Sequence, residues 1–133
     1  MNCVTDTHAL IWYLFALPHL STNAKEHFEK VAMSGGHIFV AAICFVEVIY
    51  LAEKGRLGAH ILPRINVAIQ SEGSVLETIE LSHLIALDLA RVPRGIVPDM
   101  PDRIIAATAL HLDLPLVTKD RKIRSVPSIQ TIW

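Results

Sequence analysis

The sequence predicts an α/β fold in which helices sandwich a central parallel sheet. Short β-like runs alternate with helical patterns along the whole chain. Parallel strands need long return connections, which helices supply, so this alternation points to a parallel sheet. Cap and stop residues fall at the joints between the runs, where each element has to begin or end. The chain has 133 residues, 52% of them hydrophobic. That is enough for one domain, residues 1–133, with a core that needs no disulfide or metal staples.

The elements follow in order. "NCVT" is the first strand. "THALIWYLF" carries Leu10, Ile11, Leu14 and Phe15 at helical spacing. "STNAKEHFEKVAMSGG" has a Ser21 or Thr22 cap, a polar helical body and a Gly35-Gly36 stop. "HIFVA" is the second strand, followed by a helix around Glu47 that ends at Gly55. "HILPRINVAIQSEG" is a helix with a proline near its start. "VLETIEL" alternates as a strand. Ser82 caps a helix over "HLIALDLARV", and "DMPDRIIAATALHLD" is a helix with Pro101 in its first turn. "PLVT" is a buried strand and "SIQTIW" a terminal one. No repeat, low-complexity tract or linker interrupts them.

Composition excludes several classes. A net charge of −1 provides no global basic field for nucleic acid. Seven of the twelve Lys and Arg nevertheless lie between Arg91 and Arg124, four of them in "KDRKIR". On its own such a cluster also reads as a solvated turn. Cys3 and Cys44 sit in apolar runs with no CxxC spacing and no secretory leader, as expected of reduced core thiols in a cytoplasmic protein. The apolar run from Ile38 to Ala52 is fifteen residues long with a central Glu. This is short of the roughly 20 needed to span a bilayer, and a buried element of the core is the expectation. The hydrophobic surplus suggests a second buried surface, most simply a subunit interface.

Glu47 is the only charged residue of that run, and no Lys or Arg lies within six residues of it. An ionised carboxylate in such surroundings is costly unless something positive pairs with it. In open α/β sheets, ligands bind beyond the carboxyl ends of the strands. Asp6 follows the first strand, Glu47 lies on the helix after the second, Asp102 is in the first turn of a later helix, and Asp120 follows "PLVT". They lie 41, 55 and 18 residues apart, so only folding brings them together. Four acids on one rim repel, by several kcal/mol for a pair at about 4 Å. A hard divalent cation with oxygen ligands, Mg²⁺ or Mn²⁺, resolves the repulsion.

Each acid also has a plainer reading. Asp6 can N-cap its helix, Asp99 and Asp102 can form a capping pair, and Asp120 can serve a turn. Glu47 can reach the surface or meet a buried Arg such as Arg103. The seven histidines show no HxH, HxxxH or HExxH spacing, which argues against zinc, although His8 is placed to reach the rim. There is no GxSxG, P-loop or GxGxxG.

"VTDTHALIWYL", "EVIYLAEKGRL", "DRIIAATA" and "LVTKD", in that order, resemble the PIN-domain ribonucleases, and most closely the VapC-like toxins of bacterial toxin–antitoxin pairs. The resemblance covers nearly the whole chain. It implies a three-layer α/β/α sandwich, cleavage of single-stranded RNA by a metal-activated water, and frequent homodimers. It carries the four acids onto Asp6, Glu47, Asp102 and Asp120 as metal-holding catalytic residues, with Asp99 as an additional acid. It also implies an antitoxin protein that blocks the rim, commonly with a basic side chain. Relatives tend to read Asp-Pro-x-Asp where this chain reads Asp99-Met100-Pro101-Asp102, and often carry hydroxyl residues where it has Ala41 and Cys44. Arg103, Lys119, Arg121, Lys122 and Arg124 are then the expected contacts to the RNA backbone. The alternative is a catalytically silent PIN-like RNA-binding or scaffold module. A phosphatase or phospho-receiver on a similar fold lacks support: Asp6-Thr7-His8 has no second Asp, and Thr118 and Lys119 are adjacent.

Overall fold

The computed structural model describes residues 1–133. The elements run β1 (Cys3–Thr5), α1 (Thr7–Leu14), α2 (Thr22–Met33), β2 (Ile38–Ala41), α3 (Ile43–Glu53), α4 (Ile61–Gln70), β3 (Leu76–Ile79), α5 (His83–Asp88), a 3-10 turn (Leu89–Arg91), α6 (Met100–Leu112), β4 (Leu116–Val117), α7 (Arg121–Arg124) and β5 (Thr131–Ile132). The five strands form one parallel sheet in the order β3-β2-β1-β4-β5. The seven helices flank it, giving the α/β/α arrangement that the alternation predicts.

Strand order reverses beside β1. The chain runs β1 to β2 to β3 on one side, then returns to place β4 on the other. Thr5 is level with Val40 of β2 and with Val117 of β4. The three strands therefore end at one height, and the residues just beyond them share a rim. A switch point of this kind opens a crevice, because the connections on its two sides leave in opposite directions.

The core lies between the sheet and its helices. Val4, Ile38, Val40 and Leu116 of the strands are fully buried with Phe28, Leu10, Ile65 and Ile105 from the helices. Each such side chain contributes about 1.5–3 kcal/mol by leaving water. In α6 the run Ile104–Ala109 is buried throughout. Its three alanines let the helix pack closely on β1 and β2. Ser21, Asp6, Ser82, Asp99 and Asp120 each cap a helix through a side-chain oxygen. The Gly35-Gly36 stop uses its two glycines for different reasons. Gly35 takes φ +72°, the left-handed conformation that ends α2. A Cβ on Gly36 would lie 1.6 Å from the Met1 carbonyl oxygen.

Three expectations need correction. The helix read as continuing to Val92 stops at Asp88 and tightens into the 3-10 turn. "RKIR" is not a bare turn but the short helix α7, nucleated by the Asp120 cap. The Glu47 helix is not wholly core: Ile43, Cys44 and Val48 are buried, while Val46, Ile49 and Tyr50 are exposed. Its apolar surplus therefore faces outward on one side. No helix is long and apolar enough to cross a membrane.

Candidate active site

The rim acids converge on a cleft of about 360 Å³ at the carboxyl ends of β1 and β4. Asp6, Glu47, Asp99, Asp102 and Asp120 all line it, with Lys119 as the one Lys or Arg. The acids reach the cleft from four places: the end of β1, α3, the first turn of α6 and the start of α7.

Asp6 is the residue that turns β1 into α1. Its N–H donates to the Val117 carbonyl of β4 at 3.1 Å, extending the sheet by one bond. Its Oδ1 accepts from the Ala9 N–H at 2.8 Å as the N-cap of α1. Its Oδ2 accepts from the Thr118 hydroxyl. Burial pushes this carboxyl up from the ordinary Asp range, and the Thr118 and Ala9 donors oppose that shift. Thr118 is fully buried and also accepts from the Asp120 N–H at 3.0 Å. One hydroxyl thus ties Asp6 to the segment that carries Asp120.

Glu47 makes no ion pair. Its Oε1 accepts from the Thr7 hydroxyl at 2.6 Å. Burial is the main cause that pushes its carboxyl up, with Asp99 and Asp6 adding repulsion. The hydroxyl that orients Glu47 thus comes from α1. Thr7 is itself buried beside the Cys44 thiol, which burial pushes up to about 12. Cys3 and Cys44 are both free and buried, as expected.

Asp99 caps α6 by accepting from the Asp102 N–H at 3.1 Å. This holds the two carboxylates on one turn. Asp102 is pushed up to about 7, first by burial and then by Asp99, Asp120, Glu47 and Asp6. Glu47, Asp99 and Asp102 each offer an oxygen within 4.8 Å of the others. Like charges this close repel by roughly 4 kcal/mol per pair at the effective dielectric of a protein surface. No Lys or Arg neutralises the trio. Its all-oxygen donor set fits a hard divalent cation. Asp99, read from sequence as an additional acid, thus stands inside the tightest group. Asp6 and Asp120 line the cleft outside it. Asp120 accepts from the N–H groups of Lys122 and Ile123 at 2.8 and 3.0 Å. The capping readings and the cleft readings hold together, because a capped carboxylate keeps free lone pairs.

The basic residues divide. Lys119 lines the cleft, with its ammonium 5.9 Å from the Trp12 ring centre. Arg121 is exposed on α7 but does not line the cleft. Arg103 is a correction: its guanidinium donates to the carbonyls of Leu89 and Val92 at 2.8 and 2.9 Å. It braces the 3-10 turn, neither lining the cleft nor pairing with Glu47. Thr7, Thr118 and Trp12 also line or support the site without being singled out from sequence. The signal for the threonines was present: each stands beside an acid at a strand end, in "TDTH" and "VTKD".

Comparison with known proteins agrees with this geometry. Residues 3–129 match the model of the PIN domain. Ribonuclease VapC22 of Mycobacterium tuberculosis is 32% identical, with 96% of this chain and 95% of the relative covered. A toxin–antitoxin complex from Klebsiella pneumoniae contains a similar chain at TM-score 0.65 and 26% identity, covering 96% of this chain and 94% of that one. VapBC2 from Rickettsia felis, solved bound to a DNA fragment from its promoter, superposes at TM-score 0.72 and 17% identity, over 98% and 97% of the two chains, a likeness of fold. With five acids on the rim of a five-stranded parallel sheet and a match over almost its whole length, this chain belongs to the PIN-domain family, in its VapC-like branch.

Proposed function

We propose that this chain is an endoribonuclease that hydrolyses single-stranded RNA with Mg²⁺ or Mn²⁺, and that it is the toxin of a toxin–antitoxin pair. The observation that carries the reading is the convergence of Glu47, Asp99 and Asp102 within 4.8 Å, with no Lys or Arg among them. Asp6 and Asp120 complete the acidic rim. These five carboxylates are the residues that would hold the metal. A divalent cation bound there supplies Lewis acidity, lowering the pKa of a water and neutralising charge on the phosphate.

The chain's own groups do the rest. Asp6 is aimed by the Ala9 N–H and the Thr118 hydroxyl, so its carboxylate keeps one orientation. Glu47, oriented by the Thr7 hydroxyl, is placed to take a proton from the attacking water. Asp120, fixed by the N–H groups of Lys122 and Ile123, helps orient that water. Lys119 pairs with a phosphate at the mouth. Water attack leaves a 5′-phosphate and a 3′-hydroxyl.

The partners we propose are a cognate antitoxin and a second copy of the chain. The names of the relative and of the neighbouring complexes support the first. Two exposed apolar stripes support protein partners generally: Val46, Ile49 and Tyr50 on α3, and Leu84 and Leu87 on α5.

The test is cleavage of end-labelled total bacterial RNA with Mn²⁺, with Mg²⁺ and with EDTA, beside Glu47→Gln. Discrete metal-dependent fragments that vanish in the variant support the reading, and their ends name the substrate. Fragments that persist in EDTA or in Glu47→Gln refute it.

A further inference from the structure

Trp12 is the sole apolar residue lining the acidic cleft. It stands on the same face of α1 as His8, four residues away, with ring centres 5.7 Å apart. Its other neighbours hold it in place. His19 stacks on it at 5.3 Å with 20° between the planes, and Trp133 meets it edge-on at 5.8 Å. Lys119, on the flexible stem of an exposed residue, places its ammonium 5.9 Å from the ring centre. Trp12 is six residues beyond Asp6, about 9 Å along the helix axis. That is the scale separating a phosphate from the base of a neighbouring nucleotide. A braced indole lining a cleft dominated by five carboxylates gives a base its one apolar stacking surface there, beside the His8 imidazole. The adjacent ammonium is free to move from ring to phosphate as the base arrives.

We infer that Trp12, with His8 and Lys119 beside it, is a nucleobase-stacking subsite that seats the nucleotide next to the scissile phosphate. This rests on the nuclease reading and deepens it. The subsite makes the enzyme select unpaired bases, because a base in a duplex has no free face to offer. Trp12 is a specificity-determining residue here, and it takes no part in the bond-breaking step.

The test uses the full chain with Asp102→Asn to hold back cleavage and Trp133→Phe to leave Trp12 as the one tryptophan. A ten-nucleotide single-stranded RNA of mixed sequence should quench its fluorescence saturably, and an abasic ribose-phosphate chain of equal length should not. In the cleaving protein, Trp12→Leu should raise KM by roughly 5- to 150-fold, with a much smaller change in kcat. Trp12→Phe should recover most of the loss. The Mn²⁺-induced rise in melting temperature should match that of the unmodified chain, a result that a damaged metal site would not give. The fluorescence arm keeps Trp12 native, so it stands whether or not Trp12→Leu folds. RNA that binds without altering Trp12 fluorescence, or Trp12→Leu with an unchanged KM, overturns the subsite and leaves the nuclease reading intact. RNA that is neither cleaved nor bound overturns both.

Discussion

The Thr118 hydroxyl donates to the Asp6 carboxylate across the point where the sheet reverses its strand order, joining residues 112 positions apart in the chain. The same oxygen accepts from the Asp120 N–H. Thr118 therefore sets the distance between two walls of the cleft. Thr118→Val keeps the shape and removes the donor. It leaves a half-buried Asp6 oxygen and the Asp120 N–H without this partner, at a cost of roughly 1–3 kcal/mol. Cleavage and metal affinity should fall about 10- to 100-fold, while Thr118→Ser should retain most of both. Urea melts and a Mn²⁺ titration check this; equal stability and affinity in Thr118→Val would rule the link out.

Asp102 predicts a pH dependence whose sign follows from linkage. Its folded carboxyl is raised from 3.8 to about 7. Between those values the metal-free folded state binds more protons than the unfolded chain, so stability falls as pH rises from about 4 to about 7. Above that range the loss is complete and constant. Asp102→Asn should then raise the metal-free melting temperature at pH 7.5 by roughly 2–5 °C, and leave it nearly unchanged at pH 4. Thermal melts in EDTA at both pH values decide it.

Metal should reverse that penalty. A cation that binds only the folded state stabilises it by about 2.7 kcal/mol at a hundredfold excess over its Kd. The melting temperature should climb with Mn²⁺ or Mg²⁺ in the unmodified chain and stay nearly flat in Glu47→Gln combined with Asp102→Asn. A flat response in both proteins would count against the metal site.

Lys119 and Arg103, two of the five basic residues that the sequence places near the RNA backbone, should separate in experiment. Lys119→Ala should weaken RNA binding and reduce the slope of log affinity against log salt by about 1. Arg103→Ala should leave that slope alone and lower stability, because the Val92 carbonyl loses its donor and the Leu89 carbonyl keeps only the Val92 N–H. Salt-dependent binding curves beside denaturant melts separate the roles.

Core packing predicts a cost that is independent of the site's chemistry. Ile105 is 1% exposed on the α6 face packed against the sheet. Ile105→Ala should destabilise by about 2–5 kcal/mol through lost burial and the cavity left behind. Calorimetry or urea unfolding measures it directly.

Much of this was legible in the chain before folding. The strand and helix order, the Ser21 and Asp99 caps and the Gly35 stop depend on neighbours within a few residues, so local pattern reveals them. Glu47 was legible because a lone carboxylate in an apolar run has few inexpensive explanations, and Asp6, Asp102 and Asp120 because they stand at strand or helix ends and match the motifs of the family. What was misread depends on distance or context. "RKIR" becomes a helix because Asp120 caps it, although its charge pattern is equally that of a turn. Arg103 points to the 3-10 turn rather than the rim, and only the packing of α6 against that turn reveals it.

The sequence by itself determined the class of fold, from periodicity and capping, and that Glu47 had to find a partner, from the cost of burying charge. Tertiary structure alone decided which oxygens meet. The strand order β3-β2-β1-β4-β5 brings Asp6 to Thr118, and the docking of α3 beside α1 and α6 brings Glu47 to Thr7, Asp99 and Asp102. Those pairings span 40 to 112 residues. No local preference encodes a contact over such a separation; it exists only once the core has closed around the sheet.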